Sequence, residues 1–237
     1  MPHFPPPPEL PQPVARFHRV PPAIFPPVLG LLGLVSAWSR AVDVFGFPAA
    51  VVDVASGMVT LLFFACLIAY VAKVSLRARA LIDDLQTLPG RTGLAAVCIG
   101  LMVEAALLSD RTEVLSLALL VVGACGLFFI ASYALVNRVR GTDAAGPPTP
   151  AMHLVFVGFI LFPGAAIPLR FAAPVVPYLI WYSVIAALFI TTITVRPLVT
   201  GNMPPPLRPL QAIQLAPPAF IATAASATGQ TELATFG

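Results

Sequence analysis

Seven stretches of this chain are apolar over most of a membrane's thickness, and the connectors between them are too short to hold a domain. A helix crossing the hydrocarbon needs about 20 predominantly apolar residues. Six runs meet that demand: 20–39, 47–72, 91–109, 114–136, 151–169 and 172–195. A weaker seventh, 209–228, runs into a small, polar-speckled end. Only 10% of the 237 residues are charged and 58% are hydrophobic, whereas soluble domains carry about 25% charge. So little charge cannot cover a water-soluble globule of this size. The expected fold is an all-α integral membrane protein, a multi-spanning helical bundle over 20–237 behind a tail at 1–19.

That tail begins MPHFPPPPELPQPVA. It lacks the basic start and apolar core of a signal peptide, and its prolines favour an extended, solvated strand. Of the 13 basic residues, ten fall in the tail and after the second, fourth and sixth runs: Arg16, Arg19, Lys73, Arg77, Arg79, Arg91, Arg138, Arg140, Arg196 and Arg208. Arg40, Arg111 and Arg170 fall on the other side. Lys and Arg accumulate on the cytoplasmic side of membrane proteins, so the expected amino terminus is cytoplasmic, in the inner (plasma) membrane of the cell.

The prolines divide the runs. Pro26 and Pro27, Pro163 and Pro168, and Pro217 and Pro218 lie inside the first, fifth and seventh. Pro48, Pro174 and Pro177 lie near the starts of the second and sixth, the fourth has none, and the third has only Pro89 at its start. An interior proline frees a carbonyl and kinks the helix. In hydrocarbon such a carbonyl needs protein or a water-filled cavity around it. The expectation is that odd helices are proline-kinked and inner while even ones are straighter and outer. The alternative is kinks that merely pack, with no cavity.

Other chemistries find little support. Cys66, Cys98 and Cys125 sit in three different apolar runs without metal-ligand spacing, and read as small packing residues. The net charge of +3 is explained by topology, so no nucleic-acid partner is expected. No catalytic cluster, metal site, nucleotide-binding motif or cofactor site stands out, and the chain is not expected to be an enzyme.

Three segments carry a resemblance. The first run reads RVPPAIFPPVLGLLGLVSAW, the third begins LPGRTGLAA, and the seventh opens PPPLRPLQAIQLAPPAFIA. Phe25, Gly30, Gly33, Leu34 and Trp38, then Pro89 and Arg91, then Pro209, Ile213, Ala216, Pro217 and Pro218 resemble the pattern of the tellurite-resistance/dicarboxylate transporter family, which is related to slow-type anion channels. The resemblance extends from about Arg19 to the end of the chain. It implies ten helices arranged as five hairpins, odd helices ringing a central pore and even ones outside, in a homotrimer with one pore per subunit. It also implies a pore-occluding phenylalanine on a ninth helix. This chain stops after the seventh run, so a C-terminally truncated product is the expectation.

The candidate pore-lining and kink residues are Phe25, Pro26, Gly30, Pro163, Gly164, Pro217 and Pro218. Phe162 and Phe220 neighbour the same kinks. Arg91 and Arg208 are candidate pore-mouth charges, since positive charge at a mouth attracts anions. Glu104 reads as an interfacial acid near Arg111, although acids within spans are often functional. Asp53 reads as interfacial and paired with Arg40, and His153 as an interfacial histidine. Trp38, Trp181, Tyr178 and Tyr182 read as aromatic-belt residues. Bilayer lipid and a small anion are the expected partners. The expected function is a channel or transporter for small anions or weak acids, of tellurite-resistance/dicarboxylate type. The alternative is a truncated membrane remnant that does not transport.

Overall fold

The computed structural model describes residues 20–46, 48–144, 146–171, 173–199 and 212–227; the Pro-rich tail, Arg208 and Pro209 lie outside them. Every regular element among the described residues is helical. Five helices are long and apolar enough to cross a membrane. This is the all-α membrane bundle that the apolar runs demand.

Helix α1 (Phe25–Phe45) follows one 3-10 turn, Pro22–Ile24. Its buried side chains, Phe25, Val28, Leu32 and Val35, recur every three or four residues and form one stripe. Helix α2 (Ala49–Leu76) packs against α1. It buries only Val52, Phe63 and Tyr70 along 28 residues. The Phe25 ring stands edge-on to Phe63 and Tyr70, with centroids 6.4 and 5.9 Å away, and so ties the start of α1 to α2.

A short helix, α3 (Arg79–Gln86), fills the connector after α2. Asp84 accepts from the Tyr70 hydroxyl at 2.7 Å and from Lys73 Nζ at 2.9 Å, which pins α3 beside the end of α2. The chain then turns at Thr87, whose hydroxyl oxygen caps α4 (Leu88–Leu108) by accepting from Gly90 N at 3.2 Å. Pro89 sits in the first turn, where a missing N–H costs nothing.

Helix α4 is the centre of the molecule. Every residue from Gly90 to Ala105 is buried, as befits a helix apolar on all sides. It contacts α1, α3, α5 and the broken fifth span. Small residues permit this. A side chain at Gly93 would strike the Pro22 carbonyl, and one at Gly100 would come within 2.5 Å of the Phe63 ring. Small residues at membrane helix contacts let backbones approach in this way.

Helix α5 (Glu113–Val139) lays Ser116, Leu120, Gly123, Leu127, Ile130 and Ala134 inward and contacts α4 more extensively than any other helix does. Its Gly123 is matched to the Cys98 carbonyl, 2.6 Å from where a Cβ would stand. The acidic Glu113 opens α5 and Arg138 lies in its last turn, the arrangement a helix dipole favours.

The fifth run is three short helices: α6 (Met152–Phe156), a 3-10 turn Gly158–Leu161, and α7 (Phe162–Ala166). Helix α8 (Val176–Val199) follows as a continuous span, and α9 (Ala216–Ala227) packs on α8 and on α7.

The structure differs from the sequence expectation about the prolines. Pro26 and Pro27 fall in the first turn of α1, and Pro217 and Pro218 in that of α9, each after a 3-10 turn. They begin α-helices rather than bend them. A 3-10 turn closes i to i+3 bonds, so it can hand over to a proline without demanding its missing N–H. Among the described residues, only the fifth run is interrupted along its length. Burial also does not follow odd and even alone: 83% of the spanning window of α4 is buried, 28% in both α1 and α8, and 11% in α2.

Candidate functional site

The broken fifth span lies against α4 with Phe162, Pro163, Ala165 and Ala166 buried. In a straight helix the Phe159 carbonyl would pair with the N–H of residue 163. Proline has none. The Phe162 N–H bonds to that carbonyl instead, so the interruption leaves Phe159 satisfied. This answers the demand that hydrocarbon makes of backbone groups.

Beside the interruption Gly164 is in ordinary contact with α4. The nearest atom to a Cβ built on Gly164 is the Ala106 Cβ, at 3.9 Å. At Gly30, on the exposed flank of α1, no atom lies within 4 Å, and the same holds for Gly33. Phe25 is 1% exposed in the aromatic cluster with α2, and the Phe162 ring lies 6.5 Å from that of Phe171. The structure gathers Pro163, Gly164, Pro217 and Pro218 onto the contacting helices α7 and α9. Phe25, Pro26 and Gly30 sit on α1, and α4 packs against both α1 and α7.

His153 is buried within the protein. It is 3% exposed, with Nδ1 2.9 Å from the Pro150 carbonyl and Nε2 3.3 Å from Thr191 Oγ1 of α8. A carbonyl only accepts, so Nδ1–H donates to it, and in the neutral ring Nε2 accepts from the threonine. The imidazole thus clips the start of the fifth span to α8.

Glu104 is not beside Arg111. It is fully buried, and its Oε2 accepts from Thr60 Oγ1 of α2 at 3.0 Å. Its Oε1 is buried with no hydrogen-bond partner. Arg111 pairs instead with Asp53, at 3.1 Å and with both side chains exposed, so the expected Arg40 partnership of Asp53 gives way to one with Arg111. A helical register explains the exchange: α4 is buried on all sides, so no outward face remains for Glu104.

Arg91 begins α4 and is 6% exposed. Its Nε donates to the Leu85 carbonyl at 3.1 Å, and its two terminal nitrogens donate to Asp143 at 2.8 and 3.3 Å. The guanidinium also lies over the Tyr133 ring, 5.9 Å from its centroid. Arg138 of α5 reaches Asp143 Oδ2, which it shares with Arg91, at 2.9 Å. One carboxylate therefore sits between two arginines. The sequence marked Arg91 by its place alone. Asp143 and Arg138 are 52 and 47 positions away, and nothing in their spacing announces the triad.

At the far end of the fifth span Arg170 adopts φ 51°, a left-handed conformation uncommon outside glycine. The Arg170 N–H donates to Ile167 and the Phe171 N–H to Ala166, at 3.0 and 2.9 Å. This is the Schellman closure that usually employs glycine. It leaves the Arg170 side chain exposed at the end of the span.

Residues 19–236 match a family model described as voltage-dependent anion channel. No curated protein matches the chain.

Proposed function

We propose, on the premise that the chain belongs to the voltage-dependent anion channel family, that it conducts small anions or weak acids, including tellurite- or dicarboxylate-type substrates, through a pore beside its broken fifth span. Family membership supports reading it as a membrane channel or transporter and not as an enzyme. The observation that carries the pore reading is the interruption at Gly158–Pro163, deep against α4, with its freed carbonyl bonded internally. Irregular backbone at membrane depth is tolerated where protein buries it or where it lines a cavity.

In this reading the flank of α1 with Gly30 and Gly33, and the starts of α7 and α9, face the permeation path. Arg91 and Arg208 act at the mouth on the amino-terminal side and Arg170 at the other. Selectivity arises from the sign of these charges rather than from a tight binding cage. The chain spans the plasma membrane with a cytoplasmic amino terminus, seven spans in all, and assembles as a homotrimer with one pore per subunit. The ten-to-three partition of basic residues supports the orientation, and the family resemblance supports the trimer.

The test is flux. The full chain reconstituted into liposomes should release chloride, nitrate or malate faster than protein-free vesicles, and potassium no faster. Release equal to that of protein-free vesicles for all three anions would sink the proposal and leave a membrane bundle without transport.

A further inference from the structure

A small crevice, open to the surface, lies where α4 begins, α5 ends and α6 begins. Arg91, Thr92, Arg138 and Thr149 line one part of it, and Val155 and Phe156 another. The triad just described forms its cationic wall. Two guanidiniums share the one Asp143 carboxylate, so among these three side chains one positive charge is in excess. The nitrogens of Arg91 are committed to Leu85 and Asp143. Arg138 is differently placed. One terminal nitrogen serves Asp143 and the Gly146 carbonyl, at 2.9 and 3.0 Å, while its Nε is buried and has no partner. Thr149, 6% exposed, likewise has a buried hydroxyl without a partner.

Buried donors are almost always satisfied, because leaving one unmet forfeits its hydration without return. Two unmet donors and an excess positive charge on one crevice define what belongs in it: a small anionic acceptor that takes hydrogen bonds from several directions. A water molecule would meet the donors but not the charge. A phosphate oxyanion meets both, and its geometry suits arginine.

We propose that this crevice binds one phosphate oxyanion, held by Arg138 and Thr149 with Arg91 behind them. The apolar half of the lining points to a lipid as the source. Val155 and Phe156 continue the crevice beside the cations, and the adjoining end of α5 exposes Leu135, Val136 and Val139. A phosphodiester at the arginines would leave its acyl chains along that surface. Free inorganic phosphate shares the headgroup chemistry and is the other source to separate.

The experiment measures binding rather than transport, so it is independent of the flux assay. The full chain in phosphatidylcholine nanodiscs is titrated with phosphatidylglycerol or with sodium phosphate, reading Tm and, by native mass spectrometry, the ligand retained. One phosphatidylglycerol per chain and a rise in Tm are expected. Arg138→Gln and the isosteric Thr149→Val should each weaken apparent affinity about tenfold, the size of one charge-assisted hydrogen bond, while Thr149→Ser retains it. Saturation by phosphatidylglycerol alone identifies a lipid headgroup, and saturation by phosphate alone identifies a free ion; both uphold the oxyanion site. No response to either ligand, or an equal response in Thr149→Val, overturns it.

Discussion

At Gly93 and Gly100 a single hydrogen stands where any side chain would collide. The neighbour of Gly93 is the Pro22 carbonyl, part of the backbone, whereas that of Gly100 is the Phe63 ring. A backbone atom cannot swing aside and a ring can shift a little. Gly93→Val should therefore lower Tm more than Gly100→Ala, each by the about 1–3 kcal/mol typical of overpacking. Thermal unfolding in detergent checks this, and the reverse order would mean that α1 yields more easily than the Phe63 ring. The arginine triad makes a second prediction. Removing one member of a buried ion pair costs about 3–5 kcal/mol when the other is left alone. After Arg91→Gln, Asp143 keeps Arg138 at 2.9 Å. The loss should then fall below that range, and Arg91→Gln combined with Arg138→Gln should cost more than either single change. Equal Tm values for single and double variants would show that Asp143 does not bridge the two arginines.

Helices divide according to how much of their character the pattern of residues can announce. The apolar lengths of α2, α5 and α8 were legible, because each depends only on residues adjacent along the chain. The fifth run was legible as apolar and proline-bearing, but not as three pieces, since a 3-10 turn is decided by which carbonyl finds which N–H. Pro26 and Pro217 misled for a related reason. Their consequence depends on where the α-helix begins, and boundaries are the weakest part of any local signal. The centrality of α4 was hidden as well. Its mean hydropathy, 1.7, lies below the 2.7 of α5, yet α4 is the buried one, because Gly and Ala contribute little hydropathy and much proximity. Glu104 was misplaced by the same blindness to neighbours. The bend of the fifth span yields an element-level prediction. Pro163→Ala returns an N–H that competes for the Phe159 carbonyl and lets the helix straighten. Anion flux in liposomes should fall severalfold while Tm holds or rises; unchanged flux would separate the interruption from permeation.

The whole molecule is a set of hairpins whose connectors must alternate sides. Helix α5 has 27 residues, about 40 Å at 1.5 Å per residue, long enough to carry its two ends to opposite faces of a bilayer. Single cysteines placed at Asp110 and Thr142 in a cysteine-free background should therefore label from opposite sides with an impermeant maleimide, Asp110 in intact cells and Thr142 only after lysis. Labelling of both from one side would refute the topology. The charge pattern alone predicts this orientation, because charge distribution is a property of the whole chain and needs no contact map.

The all-round burial of α4 has a consequence for how the chain is made. A segment that carries Arg91 and Glu104, and whose interior faces are built from glycine and alanine, offers lipid little while its neighbours are missing. Charged residues near the middle of a span cost about 2.5–3.5 kcal/mol at the translocon. The strongly apolar α5 follows after a connector of four residues, 109–112, so α4 is expected to leave the translocon paired with α5 rather than alone. In a glycosylation-reporter assay, a nascent chain ending just after Leu108 should leave α4 largely uninserted, and one ending after Val139 should place it across the bilayer. Equal insertion at both lengths would show that α4 partitions without its partner.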